Sequence, residues 1–273
     1  MNEENKTWNS YGIAEMGPRE ILQFGSTPLT IRIARGGLLE EIGSMSIEGV
    51  LEIGAGTCHI SYLVKASSKD QAFVVATDVS TYALHAGMKL RDFFQYSLDG
   101  YVCCDSTRLP FRDQSFGIVF GSAVLHHLER PIYACEEIRR VLRGRGKYIG
   151  LEGVVNGKLR PLVRIMTGAQ YRVAYEGIRE DMYDFESWSR LFREAGMMVT
   201  TNPLVFPAAY RELIGAKIVP RAYRPRYKLR YPYERVLASL PRQMVRSLMR
   251  TLFPGSVIIR AMRDDSASEH RTI

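Results

Sequence analysis

The chain lacks any long, uninterrupted hydrophobic run. Hydrophobic residues make up 46% of its 273 residues, yet no stretch approaches the roughly 20 apolar residues that a membrane-spanning helix requires. Residues 1–5 are polar and acidic, unlike the basic and apolar regions of a signal peptide. These absences favour a cytoplasmic protein, and the length and composition suffice for one sizeable α/β core with an appended lobe.

Cysteine is scarce as well. The chain has four, Cys58, Cys103, Cys104 and Cys135, and none has the Cys-x-x-Cys spacing that is typical of zinc sites. Two of them are adjacent in sequence, which disfavours a disulfide within the chain. We therefore predict reduced thiols and no metal site.

Acidic residues are nearly missing from one long stretch near the C-terminus. Residues 211–263 hold 13 Lys and Arg against only Glu212 and Glu234, a local charge of +11 in a chain whose total is +8. The amphipathic helix predicted over 241–252 repeats arginine every four residues along one face. Four alternatives fit this pattern: an anionic lipid surface, a phosphate-bearing substrate, RNA, or a core helix with a solvated basic face.

The most informative motif is a glycine turn that joins a strand to a helix. The apolar run 50–53 contains Glu52 and leads into Gly54-Ala55-Gly56-Thr57, and Asp78 ends the next apolar run. Glycines let the backbone approach a ligand closely, and the following helix offers unpaired N–H groups. A carboxylate at the tip of the neighbouring strand can accept both hydroxyls of a ribose. The sequence therefore predicts a nucleoside-bearing ligand at the carboxyl ends of parallel strands.

Strand and helix patterns alternate from residue 49 onward. The predicted strands cover 49–53, 73–77, 101–104, 116–121 and 146–151, and helices over 57–66, 80–96 and 132–142 connect them. This alternation indicates an open, doubly wound α/β sheet with helices on both faces. A helix over 184–195, begun by Asp184, and strands over 197–205 and 256–262 complete the prediction.

Three regions follow from these patterns. We expect a helical cap over 1–46, with helix starts at Pro18 and Pro28, and a core over 47–206 and 256–263. Within that core, residues 153–183 are expected to form a lid. The third region, 207–255, is expected to be a basic insertion that contains the amphipathic helix.

The segment after the third strand carries a family resemblance. It reads Asp105-Ser-Thr-Arg-Leu-Pro-Phe, and a β-prone run, Leu125-His126-His127 and Glu137-x-x-Arg-Val-Leu follow in that order. Over residues 49–152 the chain resembles the class I S-adenosylmethionine-dependent methyltransferases, in their small-molecule and lipid-modifying branch. The resemblance implies a Rossmann-like, seven-stranded sheet of order 3-2-1-4-5-7-6 with an antiparallel last strand, and S-adenosylmethionine as cofactor.

The resemblance also implies which residues contact the cofactor. They lie at the ends of the first four strands: Glu52, Gly54, Ala55, Gly56, Thr57, Asp78, Val79, Asp105, Ser106, Ser122 and Ala123. Glu52 and the glycine turn would lie against the methionine part, and Asp78 would hold the ribose hydroxyls. Val79 would flank the adenine, and Asp105 with Ser106 would meet its amino edge. Ser122 and Ala123 would line the channel for methyl transfer.

Four residues are candidates for the chemistry of transfer. His126 and His127 follow the fourth strand, and a histidine of ordinary pKa is suited to take a proton from an acceptor at neutral pH. Glu152, at the end of the fifth strand, is expected to face the same pocket, and Tyr11 would close the pocket from the cap. For each residue a purely structural role, such as a helix cap or a packing contact, is the alternative.

Three positions depart from the family pattern. Cys58 replaces the third glycine of the turn, residues 143–146 replace the usual Lys-Pro-Gly-Gly, and the aspartate that often opens the fourth strand is absent at Gly117. None of these changes removes a group that methyl transfer needs.

The expected function is methyl transfer to a small-molecule, lipid or glycan-linked acceptor, with contact to a membrane surface or a phosphate group through the basic region. The alternatives are an RNA methyltransferase and a non-catalytic, cofactor-binding assembly protein. Against RNA, the fourth strand is not followed by the Pro-Pro segment used by base-amino methyltransferases, and no separate RNA-binding module is visible.

Overall fold

The computed structural model describes residues 12, 13, 15–25, 49–68, 71–154, 183–204, 236, 239–241, 243, 244, 247, 248 and 255–263. A seven-stranded sheet of order β3-β2-β1-β4-β5-β7-β6 dominates these residues. Its strands are β1 Val50–Ile53, β2 Val74–Asp78, β3 Gly100–Cys103, β4 Phe116–Ser122, β5 Leu142–Val154, β6 Met197–Leu204 and β7 Gly255–Arg263. Only β7 runs antiparallel to its neighbours, so the predicted order and direction are confirmed.

Helices cover both faces of this sheet, as predicted. They are α1 Pro18–Gly25, α2 His59–Ser67, α3 Thr81–Met88, α4 Arg91–Phe94, α5 Pro131–Val141 and α6 Phe185–Glu194. One apolar cluster joins the sheet to α5 and α6, and another joins it to α1, α2 and α3. The central strand β1 is buried along its whole length, so the site at its carboxyl end rests on a rigid base.

Helix α6 shows how local sequence sets an element. Asp184 accepts a hydrogen bond from the Ser187 amide at 2.7 Å, a side-chain cap that contributes about 1 kcal/mol. Phe185, Trp188 and Phe192 recur on one face and are fully buried. Gly196 ends the helix in a left-handed conformation with φ 74°. The predicted start and end of this helix are confirmed.

Two predicted boundaries are wrong. The helix expected over 80–96 is divided into α3 and α4, because the Lys89 and Leu90 amides bond three residues back and tighten the chain there. Strand β5 begins at Leu142 rather than 146: Leu142 pairs with Phe116 while Lys147 pairs with Ile118, so residues 143–146 bulge out between those pairs.

Strand β5 also extends further than predicted. Gly153 and Val154, assigned to the lid from sequence, pair with Ser256 and Gly255 of β7. The pairing with β7 satisfies their backbone, so they continue the sheet instead of leaving it.

Several sequence predictions fall outside the described residues. They are Pro28 and most of the N-terminal cap, the lid over 155–182, and most of the basic insertion. Pro18 does begin a helix, α1. Within the part of the chain that the structure describes, no helix has the length and apolar character needed to cross a membrane.

Candidate active site

The glycine turn after β1 is tied directly to the end of β2. The Gly56 amide donates to Asp78 Oδ2 at 2.7 Å, and the Ser80 amide donates to Asp78 Oδ1 at 2.8 Å. Burial raises the pKa of the Asp78 carboxyl, and these backbone donors oppose the rise. Each carboxylate oxygen keeps a further lone pair, so Asp78 can still accept hydroxyl groups from a ligand.

Gly54 brings the same turn against the segment that follows β4. Its φ is 59°, a left-handed conformation that favours glycine. A β-carbon at this position would collide with the Val124 side chain. Bare backbone is therefore required where β1 meets the end of β4.

Glu52 lies under the turn with its side chain buried. Its Oε2 accepts hydrogen bonds from the Ser61 hydroxyl and, at 3.0 Å, from the Ser61 amide of α2. Burial raises the pKa of the carboxyl from 4.5 to about 8, although the bonds from Ser61 act against the rise. Nearby, the Thr57 hydroxyl is buried and has no hydrogen-bond partner among the described residues.

Cys58 holds the position of the missing third glycine. Its φ is 58°, so the turn keeps the left-handed conformation that the glycine would adopt, at a cost of about 1–2 kcal/mol for a residue with a β-carbon. The side chain is fully buried. A β-carbon at Gly87 of α3 would lie only 2.8 Å from its Sγ, so the glycine of α3 makes room for this cysteine.

A histidine and a glutamate meet across the ends of β4 and β5. His126 Nδ1 lies 2.6 Å from Glu152 Oε2, and the amides of Leu125 and Val124 donate to Glu152 Oε1 at 2.9 and 3.2 Å. Glu152 is buried, whereas 17% of the His126 side chain is exposed. The carboxylate therefore fixes the orientation of a ring that can still reach solvent.

The second histidine is a neighbour of this pair. His126 and His127 lie in a short 3₁₀ turn, Leu125–His127, with ring centroids 4.1 Å apart. Val124, which precedes the turn, both packs on Gly54 and donates to Glu152. Through Val124, the glycine turn and the His126–Glu152 pair form one continuous surface at the carboxyl edge of the sheet.

The predicted adenine contacts lie beyond β3. The Cys104 amide donates to the Asp78 carbonyl at 3.0 Å, which places the start of this segment beside the ribose candidate. Asp105 is exposed and accepts from the Thr107 amide and hydroxyl, both at 2.8 Å, and Ser106 is buried. Val79 follows Asp78 directly and is half-buried.

Some of the remaining predicted site residues are described in the structure, and one is not. Ala123, at the end of β4, is exposed, has φ 57° and donates its amide to the Leu151 carbonyl at 2.7 Å; Ser122 beside it is half-buried. Tyr11 lies outside the described residues. No group of three His, Cys, Asp or Glu residues among those described could hold a metal ion.

Sequence reasoning missed two residues that build the site. Ser61, the partner of Glu52, was not singled out; a polar residue on the buried side of an amphipathic helix was the available signal. Val124 was missed as well, because nothing in its local sequence reveals a contact with a glycine 70 residues earlier.

Comparison of this sequence with known proteins finds similarity to methyltransferases. Residues 51–150 match the family model described as a methyltransferase domain. The ubiquinone/menaquinone biosynthesis C-methyltransferase UbiE of Blochmanniella pennsylvanica is 33% identical over 112 residues, 40% of this chain and 44% of that protein. The chain spans about half the length of the curated relatives it matches.

Solved structures share the fold. Geranyl diphosphate methyltransferase, solved with GPP and sinefungin, matches with a TM-score of 0.59 at 14% identity over 83% of this chain and 76% of that one. Phosphoethanolamine N-methyltransferase 2 of Haemonchus contortus, solved with S-adenosyl-L-methionine, matches with a TM-score of 0.54 at 16% identity over 83% and 51%. Residues 51–150 are thus similar to a methyltransferase domain, and the chain shares the fold of these solved methyltransferases.

Proposed function

We propose that this protein transfers a methyl group from S-adenosylmethionine to a small-molecule acceptor that loses a proton on reaction. One observation carries the proposal. The His126–Glu152 pair, 2.6 Å apart, lies on the same edge as the glycine turn and is joined to it by Val124.

The residues around the glycine turn fit the cofactor chemically. Asp78 has lone pairs to accept ribose hydroxyls. The buried Thr57 hydroxyl needs a polar partner, which an amino-acid group would supply. When bound, S-adenosylmethionine supplies an electrophilic methyl group, so the protein has to bind, align and deprotonate.

His126 is the proposed base. With Nδ1 donating to the Glu152 carboxylate, Nε2 becomes the basic nitrogen of the ring. Glu152 stabilises the imidazolium that forms when His126 takes a proton, and its bonds to two backbone amides prevent it from moving away. This arrangement favours acceptors whose nucleophile is activated by deprotonation, such as a hydroxyl or a phenol.

The relatives limit the acceptor only to a broad class. Their names refer to a quinone, a prenyl diphosphate and a phosphobase, which are all small molecules of different chemistry. A quinol is the acceptor we would test first, because its phenolic proton matches the proposed base and the curated relatives carry quinone names.

Binding of the cofactor tests the first half of this proposal. Calorimetry with S-adenosylmethionine and S-adenosylhomocysteine should give micromolar dissociation constants for the wild type. Asp78→Asn removes one acceptor oxygen and should weaken both ligands about 10- to 100-fold, since hydrogen bonds to charged groups are among the stronger ones.

Asp99→Asn is the matched control for this experiment. Asp99 is a carboxylate at the opposite edge of the sheet, where it accepts the Val74 amide and Lys65 Nζ, each at 2.7 Å. We expect this variant to keep its affinity for both ligands. A wild type that binds neither ligand would contradict the methyltransferase proposal.

Turnover tests the second half. Transfer of a labelled methyl group to a quinol, a prenyl diphosphate and a phosphobase should succeed with one class and depend on His126. Binding without transfer to any acceptor, unchanged by His126→Ala, would favour the assembly-protein alternative. Salt-sensitive binding of RNA, together with its methylation, would favour the RNA-methyltransferase alternative.

A further inference from the structure

The segment between β3 and β4 has no regular structure, yet it carries Asp105 and Ser106, the residues proposed to meet the adenine. Its first half bonds to itself: the Asp105 side chain holds Thr107, and its carbonyl accepts the Arg108 amide at 2.9 Å. Apart from the bonds of Cys104, among them that between its amide and the Asp78 carbonyl, the hydrogen bonds that join the segment to the rest of the protein, as far as it is described, lie in its second half.

A single arginine of α5 fastens that second half. Arg140 Nη2 donates to the Leu109 carbonyl at 2.9 Å, and Nη1 donates to the Phe111 carbonyl at 2.7 Å and to Asp113 Oδ1 at 2.8 Å. The Arg140 carbonyl also accepts the Gln114 amide at 2.9 Å. One residue therefore contacts the segment at four points.

Glu137, one turn earlier on α5, holds the arginine in place. It accepts Arg140 Nε and Nη2, both at 2.7 Å, and it also accepts the Leu109 amide at 2.7 Å. All five N–H groups of the guanidinium are thus bonded, and both backbone polar groups of Leu109 are captured. The hydrogen bond from the Arg140 guanidinium also keeps the pKa of the Glu137 carboxyl below its usual value. A planar group with five donors is needed for this geometry, and lysine cannot reproduce it.

We propose that Arg140, held by Glu137, is a positioning residue that sets the 105–114 segment and thereby the affinity for the adenosine part of the cofactor. The inference rests on the proposed function, because it takes the adenine to lie at Ser106. Arg140 contacts neither cofactor nor acceptor in this proposal, so the methyl-transfer step itself should not depend on it.

The test compares Arg140→Lys with Arg139→Gln. Arg139 lies beside Arg140 on α5 but donates through Nε to the Gly196 carbonyl at 3.2 Å, away from the segment. Calorimetry well below the unfolding temperature should show S-adenosylhomocysteine and adenosine weakened by the same factor, about tenfold, in Arg140→Lys because the segment is no longer preorganised. Arg139→Gln should leave both affinities unchanged, and turnover at saturating cofactor should be unchanged in both variants.

A merely structural role for Arg140 predicts a different result. Arg140→Lys would then lower the unfolding temperature while its dissociation constants stay at the wild-type value, which would overturn the proposal. Loss of affinity for S-adenosylhomocysteine without loss for adenosine would overturn it too.

Amide hydrogen exchange separates this proposal from the proposed function. Without any ligand, Arg140→Lys should speed exchange of the Leu109 and Gln114 amides at least tenfold over the wild type, while the Val74 amide stays protected. If the wild type binds no cofactor, the proposed function fails and the adenosine role fails with it, but the exchange still decides whether Arg140 orders the segment. Unchanged exchange in that variant would overturn the positioning role.

Discussion

Two buried glutamates sit at the ends of β1 and β5 and differ in their partners. Glu52 and Glu152 are each only 2% exposed, and each accepts backbone amides. Among the described residues, Glu52 has only the neutral Ser61 as a hydrogen-bonding side-chain partner, and its pKa rises to about 8. Glu152 faces an imidazole at 2.6 Å.

The difference teaches that burial alone does not define a catalytic carboxylate. With neutral donors only, a buried carboxyl retains its proton near neutral pH and acts as an uncharged hydrogen-bonding group. With a histidine beside it, the same side chain can stabilise a positive charge. We therefore propose that the β1 end of the edge serves binding and the β5 end serves proton transfer.

Breaking the pair at the β5 end should have the largest effect. In Glu152→Gln the amide nitrogen can donate to His126 Nδ1, which moves the ring proton to Nε2 and removes the base. Turnover should fall about 10²–10⁴-fold, while the dissociation constant of S-adenosylhomocysteine stays at the wild-type value. Steady-state rates and calorimetry measure the two quantities.

His127→Gln is the comparison variant for that experiment, since it keeps the His126–Glu152 pair. We expect its turnover to remain within about tenfold of the wild type. If His127→Gln lost activity as severely as Glu152→Gln, the base would have to be reassigned to His127.

At the β1 end, the protonation of Glu52 should make the stability of the protein depend on pH. The pKa of Glu52 is about 8 when folded and about 4.5 when unfolded, so its contribution to stability is full below pH 4.5 and is lost as pH rises towards 8. Glu52→Gln cannot ionise. As the pH rises from 5 to 8, the free energy of unfolding of Glu52→Gln should therefore increase relative to that of the wild type by a few kcal/mol.

Urea unfolding at both pH values measures this difference. Asp99→Asn serves again as a reference, because Asp99 has a cationic partner in Lys65 and lies far from the turn. A gap between Glu52→Gln and wild type that stays constant from pH 5 to pH 8 would contradict the protonated state of Glu52.

The smallest effect is expected at Tyr148, whose phenol lies near Glu152. The hydroxyl is buried without a hydrogen-bond partner among the described residues, and burial and the nearby carboxylate raise its pKa. Tyr148→Phe keeps the ring stacked on Phe192 and removes the unsatisfied group. The variant should be more stable by about 1 kcal/mol, measured by urea unfolding.

Tyr62→Phe provides the opposite case. The Tyr62 hydroxyl is hydrogen-bonded to that of Tyr101, so its removal should destabilise the protein by about 1 kcal/mol. Equal losses of stability in the two variants would mean that the Tyr148 hydroxyl has a hydrogen-bond partner.

The sequence was sufficient for the sheet but not for the contacts across it. The alternating pattern and the glycine turn predict β1 to β5 because each depends on neighbouring residues, and the resemblance supplies the order of strands. The bulge over 143–146 was missed because it depends on how β5 pairs with β4. The contacts of Val124 and Arg140 join residues far apart in the chain, so no local pattern contains them.

The position of β7 in the chain has a consequence for how the protein is made. Glu152 pairs with Val257, and residues 155–254 separate the two strands. At a synthesis rate of roughly 5–20 residues per second, β7 is synthesised about 5–20 s after β5. During that interval β1 to β4 can already pair, so the nascent chain can form the glycine turn and its bond to Asp78 before β5 gains its second neighbouring strand.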